Sequence, residues 1–256
     1  MTVLDNFKID GKVAIVTGCA RPNGLGYAMA EALAEAGANI VGADVGDLSA
    51  AEKSIKGLGV RFYGVQGDLT KPAERMRLIG EAKSKMGRID ILINNAGIIR
   101  RAPALEFSEK DWDDVMEVNL KAAFFLAQSV GRAFVEQGTG GKIVNTASML
   151  SFQGGIIVPS YTASKSAIAG ITRALANEWA KHRINVNAIA PGYMATDNTA
   201  PLRADATRAA AILERIPAGR WGENSDLKGA VVFLSSPASD YVTGHILAVD
   251  GGWLAR

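Results

Sequence analysis

A phenol and an ammonium group, Tyr161 and Lys165, lie four residues apart at the start of a helical pattern. On a helix, residues i and i+4 share a face, so both groups can face one cleft. An unperturbed tyrosine has a pKa of about 10, and lowering that pKa to about 7 requires roughly 4 kcal/mol. A cation about 4 Å away supplies roughly that amount at an effective dielectric constant near 20. The pair is therefore a candidate acid–base device, although the same spacing also occurs on solvated helix faces.

A glycine-rich turn is the second feature with recognisable chemistry. Residues 17–26 follow a β-branched run and lead into a helical pattern, so their glycines can bring the backbone close to a pyrophosphate at a helix N-terminus. Asp44 closes the next predicted strand, 18 residues after Gly26, where a dinucleotide site needs a carboxylate for the adenosine ribose hydroxyls. The predicted dinucleotide-binding residues of this region are Gly18, Arg21, Asn23, Gly24, Leu25, Gly26 and Asp44.

The charge of Asp44 bears on the choice of coenzyme. A carboxylate at this position would repel a 2′-phosphate by roughly several kcal/mol, which favours NAD and makes NADP the less favoured coenzyme. Arg21 in the glycine turn could offset this preference. Asp44 could also serve only to cap a turn at the end of its strand.

The elements that must position these residues alternate along the whole chain. Short β-branched runs predict strands and longer periodic segments predict helices, an alternation typical of a parallel sheet covered by helices on both faces. The predicted fold is therefore α/β, a single-domain, doubly wound Rossmann-type fold with a seven-stranded parallel sheet. The predicted strands are 13–17, 39–43, 61–66, 89–94, 142–146, 184–189 and 246–249. The predicted helices are 25–36, 49–56, 72–86, 110–137, 160–181 and 227–234.

Two local features add to this pattern. Ser108 and Asp111 predict an N-terminal cap just ahead of the long fourth helix. After the sixth strand, residues 192–217 insert a polar stretch rich in alanine and arginine. Doubly wound folds bind ligands at the carboxyl ends of their strands, so we expect this insert to act as a lid.

Composition narrows the class of protein. The chain has 256 residues, 48% of them hydrophobic and 21% charged, which is ordinary for a globular domain with a sizeable core. A net charge of +2 without a long basic run gives no electrostatic reason to expect nucleic acid or a membrane surface as a partner. The single cysteine, Cys19, rules out an intramolecular disulfide, and the isolated His182 and His245 predict no metal site. With no apolar signal core at the N-terminus, a cytoplasmic enzyme is expected.

Five motifs, in this order and spacing, resemble the short-chain dehydrogenase/reductase family over nearly the whole chain. Beyond the glycine turn they are Asp68, the segment 94–97, the Ser148–Tyr161 spacing of thirteen residues and the segment 191–196. The resemblance implies a catalytic tetrad of Asn119, Ser148, Tyr161 and Lys165. It also implies dinucleotide contacts from Asp68, Leu69, Asn95, Ala96, Gly97, Tyr161, Lys165, Pro191, Gly192, Met194 and Thr196. One departure is the glycine turn, where five residues rather than three separate Gly18 from Gly24.

The resemblance also implies a mechanism and an assembly. Tyr161 would exchange a proton with the substrate oxygen, and Ser148 would bind that oxygen during hydride transfer. Lys165 would lower the pKa of Tyr161 and bind the nicotinamide ribose, while Asn119 would hold a proton-relay water. A homotetramer is implied, with the apolar pattern on the Tyr161 helix placed at a subunit interface. That pattern consists of Ile168, Ile171, Leu175 and Trp179.

The substrate is predicted from three segments, 98–102, 149–155 and 193–215, which should line its pocket. Their cations and amides suit a carboxylate and hydroxyls, although most of these arginines could instead be solvated. The candidates are Arg100, Arg101, Ser148, Gln153, Tyr161, Arg203 and Arg208. The strings 97–101, 104–113, 147–155 and 249–256 resemble a subgroup of the family that acts on sugar acids in uronate and pectin breakdown. A small-molecule sugar acid is therefore the predicted substrate. A 3-oxoacyl thioester reductase and a non-catalytic dinucleotide-sensing protein remain alternatives.

Overall fold

A computed structural model describes residues 2–256, which build one sheet of seven parallel strands. The strand order is β3-β2-β1-β4-β5-β6-β7. The strands are β1 (Val13–Thr17), β2 (Asn39–Asp44), β3 (Phe62–Gln66), β4 (Ile91–Asn94), β5 (Gly141–Thr146), β6 (Ile184–Pro191) and β7 (Ile246–Val249). The chain runs outward from β1 to β3 and then restarts at β4 on the other side of β1. The carboxyl ends of β1 and β4 therefore form the switch point where such folds bind ligands.

Helices cover both faces of the sheet. They are α1 (Leu25–Glu35), α2 (Ser49–Gly57), α3 (Pro72–Met86), α4 (Glu109–Met116), α5 (Ala123–Gln137), α6 (Pro159–Trp179), α7 (Ala200–Ala204), α8 (Ala206–Arg215) and α9 (Lys228–Ser235). Alternate residues of β1 enter two separate cores: Ala14 and Val16 pack with α1, α2 and α9, whereas Val13 and Ile15 pack with α3, α5 and α6. A strand buried on both faces needs a continuous apolar run, as β1 has. The predicted doubly wound α/β fold is thus confirmed.

The long fourth helix differs from the prediction. It begins as expected, because the Ser108 hydroxyl accepts a hydrogen bond from the Asp111 backbone amide at 3.1 Å. The segment predicted as one helix is then divided into α4 and α5 by a π-helical turn, Glu117–Ala122, which contains Asn119. A π turn inserts a residue into the helical ladder and is found mostly at functional sites. The helical pattern predicted over 110–137 does not reveal it, because one inserted residue alters a single turn of a long helix.

The apolar pattern on α6 is also placed differently from the expectation of a subunit interface. Ile168 and Leu175 are buried inside the subunit, with exposures of 2% and 6%. Ile171 and Trp179 pack against the same interior clusters and are partly buried. Ile168 and Leu175 belong to the core because α6 lies directly on β5 and β6, whereas the interface stays a prediction for the partly exposed Ile171 and Trp179.

The insert after β6 forms two short helices, α7 and α8. No helix in the described part of the chain is both long and apolar enough to cross a bilayer. Within residues 2–256, no group of three or more His, Cys, Asp or Glu side chains is placed to hold a metal ion.

Candidate active site

The glycine turn between β1 and α1 has the backbone geometry that a phosphate site requires. Gly18 has φ +69°, a left-handed conformation that glycine adopts without strain. At Gly26 a methyl group would overlap the Gly18 carbonyl and the Asn95 amide, so the strand and helix approach too closely for any side chain. Gly24 is the N-cap of α1 and provides no side chain to the first-turn amides. These backbone N–H groups, with the positive end of the helix dipole, fit a pyrophosphate.

The lengthened loop is accommodated by a tight turn. The Gly24 backbone amide donates to the Arg21 carbonyl at 2.8 Å, so the extra residues fold back on themselves. The tip of the turn rests on the segment before α9, where the Asn224 side chain donates to the Pro22 carbonyl at 3.2 Å. Asn23 is exposed at this tip, and Leu25 begins α1.

Thr17 connects the ends of β1 and β4. Its hydroxyl oxygen accepts the backbone N–H groups of Asn95 and Ala96, each at 2.9 Å. The Asn95 side chain in turn donates to the carbonyls of Thr17 and Gly18 at 3.0 and 3.1 Å. Asn95 and Ala96 therefore hold the two sides of the switch point together. Gly97 follows, and a Cβ there would lie 3.2 Å from the Asn119 amide oxygen.

Asp44 is a turn cap as well as a candidate ribose ligand. One carboxylate oxygen accepts the Ala20 backbone amide and the other accepts that of Gly46, both at 2.9 Å. The side chain is nevertheless only half-buried, and a carboxylate has about four acceptor positions, so it can accept further hydrogen bonds. The Arg21 side chain is exposed, and its guanidinium lies 4.0 Å from the carboxylate of Asp197 in the insert after β6.

The remaining predicted dinucleotide residues lie along the same edge of the sheet. The Asp68 carboxylate accepts the Thr70 hydroxyl at 2.7 Å and the Thr70 amide at 3.0 Å, and this hydrogen bonding lowers its pKa. Leu69 packs partly buried against the core. Residues 191–196 leave the end of β6: Pro191 pairs with Val249 of β7. The other members are Gly192, which lines the cavity described below, and the buried Met194 and Thr196.

Ser148, Tyr161 and Lys165 meet where β5 faces the start of α6. The Lys165 ammonium donates to the Thr146 carbonyl at 2.6 Å and lies 5.5 Å from the centroid of the Tyr161 ring. Ser148 is in an extended conformation directly after β5, and its hydroxyl accepts the Leu150 amide at 3.1 Å. The i, i+4 spacing on α6 therefore places the phenol and the ammonium on one face, as predicted.

Asn119 lies behind this group in the π turn. Its side-chain nitrogen donates to the Ile98 carbonyl at 2.9 Å and to the Ser164 hydroxyl at 3.2 Å. Its side-chain oxygen accepts the Ile98 amide at 2.8 Å. Asn119 thereby holds the segment after β4 against α6, and the amide group itself is buried.

The pKa values of this group are dominated by burial. Burial raises the pKa of Tyr161, while hydrogen bonding from Ser148 and the positive charge of Arg101 act in the opposite direction. Burial also lowers the pKa of Lys165 from 10.5 to about 8. The expectation that Lys165 brings the pKa of Tyr161 down toward 7 is therefore wrong for this geometry. Its ammonium is directed to a backbone carbonyl, and desolvation of the phenolate outweighs the nearby charges.

A cavity of about 400 Å³ opens beside Tyr161 and Ser148. Its walls come from the segments after β4 and β5, from the lid and from the C-terminal segment. Three arginines line it, Arg101, Arg208 and Arg215, and among the described residues no Asp or Glu does. Gln153 also lines it, together with the aromatic side chains of Tyr193 and Trp253. The cavity therefore places Tyr161, the candidate proton-transfer group, beside three cationic side chains within a lining that is otherwise largely apolar.

Two of the predicted substrate residues lie elsewhere. The Arg100 guanidinium pairs with the Asp111 carboxylate at 3.2 Å, and Arg203 donates to the Thr196 carbonyl at 3.1 Å. Neither residue lines the cavity. Arg215 lies in the predicted lining segment 193–215 but was not singled out, and sequence reasoning missed Trp253, whose ring centroid lies 4.2 Å from the Arg215 guanidinium. The helical spacing of Arg208 and Arg215 could have indicated one face, whereas nothing in the sequence places the C-terminal tryptophan there.

This fold and site define an oxidoreductase that uses a dinucleotide coenzyme. Comparison with known proteins agrees. A family model described as enoyl-(acyl carrier protein) reductase matches residues 18–254. The chain belongs to the short-chain dehydrogenase/reductase family.

Relatives with assigned activities resemble the chain over its full length. A 2-dehydro-3-deoxy-D-gluconate 5-dehydrogenase of Dickeya dadantii is 59% identical over 254 residues, covering 99% of this chain and 100% of the relative. An enzyme of the same name from Bacillus subtilis is 51% identical, with 98% of each chain covered. The crystal structure of a gluconate 5-dehydrogenase from Burkholderia cenocepacia, in complex with NADP and tartrate, is 38% identical, with a TM-score of 0.95 and all of both chains covered.

Proposed function

We propose that this protein is an NAD-dependent dehydrogenase that interconverts a secondary alcohol and a ketone in a sugar acid of the 2-dehydro-3-deoxy-D-gluconate or 2-deoxy-D-gluconate type. The observation that carries the proposal is the cavity in which Tyr161 and Ser148 lie beside three arginines. Guanidinium groups bind carboxylates through paired, charge-assisted hydrogen bonds. The names of the Dickeya and Bacillus relatives support this substrate class, and tartrate in the Burkholderia structure is also a hydroxy acid.

The proton-transfer step follows from the positions of Tyr161 and Ser148. In the reductive direction the Tyr161 phenol donates its proton to the substrate carbonyl oxygen, to which the Ser148 hydroxyl also donates a hydrogen bond. In the oxidative direction tyrosinate accepts the proton of the substrate hydroxyl. The dinucleotide, when bound, would supply a hydride to the substrate carbon that bears this oxygen, or receive a hydride from it. Because the pKa of Tyr161 is raised, the neutral acid is the dominant form at neutral pH, and we expect oxidation to accelerate as pH rises.

Lys165 and Asn119 position the reacting groups in this proposal. The Lys165 ammonium is held by the Thr146 carbonyl, beside the phenol and at the edge where the dinucleotide would lie. Binding of the nicotinamide ribose by Lys165 stays part of the proposal. The prediction that Asn119 holds a relay water also remains a prediction. Its amide already bonds Ile98 and Ser164, so we assign it first a positioning role.

NAD preference is proposed on the basis of Asp44 and Arg21. The Asp44 carboxylate lies at the end of β2 with free acceptor capacity, and the exposed Arg21 lies 4.0 Å from the Asp197 carboxylate, so a weak surface ion pair competes with any contact from Arg21 to a 2′-phosphate. We expect the ratio of kcat/KM for NAD over NADP to be tenfold or more, and Asp44→Ala to reduce it by about tenfold. Because the Burkholderia relative was crystallised with NADP, the wild-type ratio is the decisive measurement, and a ratio of one or below would overturn this part of the proposal.

Initial-rate assays separate the proposed activity from its alternatives. The panel pairs NAD⁺ with 2-deoxy-D-gluconate and 2-dehydro-3-deoxy-D-gluconate, and NADPH with a 3-oxoacyl thioester. Turnover of a sugar acid without thioester reduction supports the proposal, and the opposite pattern indicates an acyl reductase. Coenzyme binding without any turnover would indicate a sensing protein. Tyr161→Phe should lower kcat by about 100-fold or more with unchanged coenzyme affinity, and near-normal turnover would exclude Tyr161 as the acid.

Two predictions about the molecule's context complete the proposal: a cytoplasmic location and a homotetrameric assembly. The assembly is tested by sedimentation velocity of the full chain. A monomer at micromolar concentration would contradict it.

A further inference from the structure

Helix α8 presents a cationic face to the cavity. Arg208, Ile212 and Arg215, spaced at i, i+4 and i+7, all line it. Ile212 is buried at 8% exposure and packs with Met149 and other apolar residues below the site. The apolar residue therefore anchors the lid helix, and an arginine lies one turn to each side of it.

The three arginines of the cavity differ in their partners. Arg101 donates to the Asn198 carbonyl at 2.9 Å, and Arg215 stacks on the Trp253 ring. The half-buried guanidinium of Arg208 makes no hydrogen bond and no ion pair within residues 2–256. Only its backbone amide is used, donating to the Asp205 carboxylate at the helix start. Arg208 is therefore the cavity cation that is still available for an anionic ligand.

We propose that Arg208 is a specificity residue that binds the carboxylate of the substrate, so that α8 closes over anionic sugar acids and discriminates against neutral polyols and amides. This inference rests on the proposed function. Arg101, after β4, lines the same cavity, and in this proposal the substrate carboxylate binds between the two guanidinium groups.

Electrostatics supports the binding of one carboxylate by both Arg101 and Arg208. Burial lowers the pKa of Arg101, and the positive charge of Arg208 lowers it further, so the two cations interact across the cavity. Two like charges facing one another are unfavourable until an anion lies between them. A carboxylate reverses this repulsion and makes two charge-assisted contacts, one to the body of the protein and one to the lid. Lid position is thereby linked to the charge of the substrate.

The kinetic test compares 2-deoxy-D-gluconate with its neutral amide. In the wild type we expect the acid to have the higher kcat/KM. Arg208→Met should lower kcat/KM for the acid by about 10- to 100-fold, mainly through KM, and change that for the amide by less than about threefold. Arg208→Lys should restore part of the acid preference. Arg203→Met is the matched control, because it removes the same charge from the lid outside the cavity, and it should leave the acid-to-amide ratio unchanged.

A second measurement follows the lid without turnover. Hydrogen exchange of residues 206–215 is measured on the coenzyme-saturated enzyme with and without D-gluconate as the anionic probe. Protection of α8 by D-gluconate is expected in the wild type and in Arg203→Met, and its loss is expected in Arg208→Met.

The two levels of the proposal fail in different ways. If the wild type oxidises no sugar acid, the proposed function is overturned. If it oxidises the acid and Arg208→Met keeps the full acid-to-amide ratio and the protection of α8, the function stands and the role of Arg208 is overturned. An equal loss with acid and amide would show that Arg208 only supports the lid, which also overturns its role in specificity.

Discussion

Replacing Lys165 by methionine should make the protein inactive. The same change removes a buried positive charge that lowers the free energy of unfolding. Lys165 is 4% exposed, and burial lowers the pKa of its ammonium from 10.5 to about 8. A shift of this size corresponds to about 3 kcal/mol, since each pKa unit is worth about 1.4 kcal/mol. The folded-state pKa lies below the unfolded one, so folding opposes protonation of this lysine.

The sign of the pH dependence follows from that difference. Below pH 8 the lysine is protonated in both states, and the folded protein carries the full cost. As pH rises from 8 to 10.5 the folded state binds fewer protons than the unfolded state, and the cost declines. The free energy of unfolding of the wild type should therefore rise relative to Lys165→Met by about 3 kcal/mol between pH 7 and 10.5.

The assay is urea-induced unfolding of both proteins at several pH values across this range. Methionine also leaves the Thr146 carbonyl without its donor, which costs about 1 to 3 kcal/mol but does not vary with pH. The slope of the difference against pH is thus the quantity that reports the titration. Lys53→Met, which removes an exposed lysine from α2, is the control and should leave the slope unchanged. A pH-independent difference between wild type and Lys165→Met would refute the reasoning.

Two further predictions concern the switch point. Thr17→Val leaves the partly buried amides of Asn95 and Ala96 without an acceptor and should lower the free energy of unfolding by about 2 to 4 kcal/mol in urea titrations, whereas Thr17→Ser should keep most of the wild-type stability. Equal stability of the valine and serine variants would contradict this. Gly26→Ala should weaken coenzyme binding at least tenfold by calorimetry, because its methyl group overlaps the Gly18 carbonyl. Gly80→Ala in α3 is the control, because a Cβ there meets nothing within 4 Å, and it should raise the free energy of unfolding by about 0.5 to 1 kcal/mol. Equal effects of the two substitutions on coenzyme affinity would argue against a tight turn at Gly26.

Most of the framework was predictable because it depends on local periodicity. Most strands are short runs rich in β-branched residues and the long helices repeat their apolar residues every three to four positions, so the order of elements and the α/β class follow from the sequence. Tyr161 and Lys165 were predictable as a pair for the same reason, since helical spacing alone places them on one face. Ser148 and the dinucleotide turn became identifiable through their spacing in a family pattern.

The predictions that were wrong concern side chains whose partners are distant in sequence. Arg100 and Arg101 are adjacent, yet one pairs with Asp111 on α4 and the other lines the cavity. The pKa of Tyr161 could not be assigned either, because a Coulomb estimate for one neighbouring cation omits the desolvation that dominates there. Both depend on which segments pack together, and a local pattern carries no such information.

The sequence by itself determined the fold and the glycine-rich dinucleotide turn and predicted the candidate proton-transfer pair, because each depends on short-range spacing or on a motif of fixed order. Only the tertiary structure decided which arginines line the cavity, where the long helix takes a π turn, and that burial raises the pKa of Tyr161 and lowers that of Lys165. These properties arise where the ends of β4 and β5, the lid and the C-terminal segment converge. Their energies depend on distance and solvent exposure, which exist only once the chain has folded.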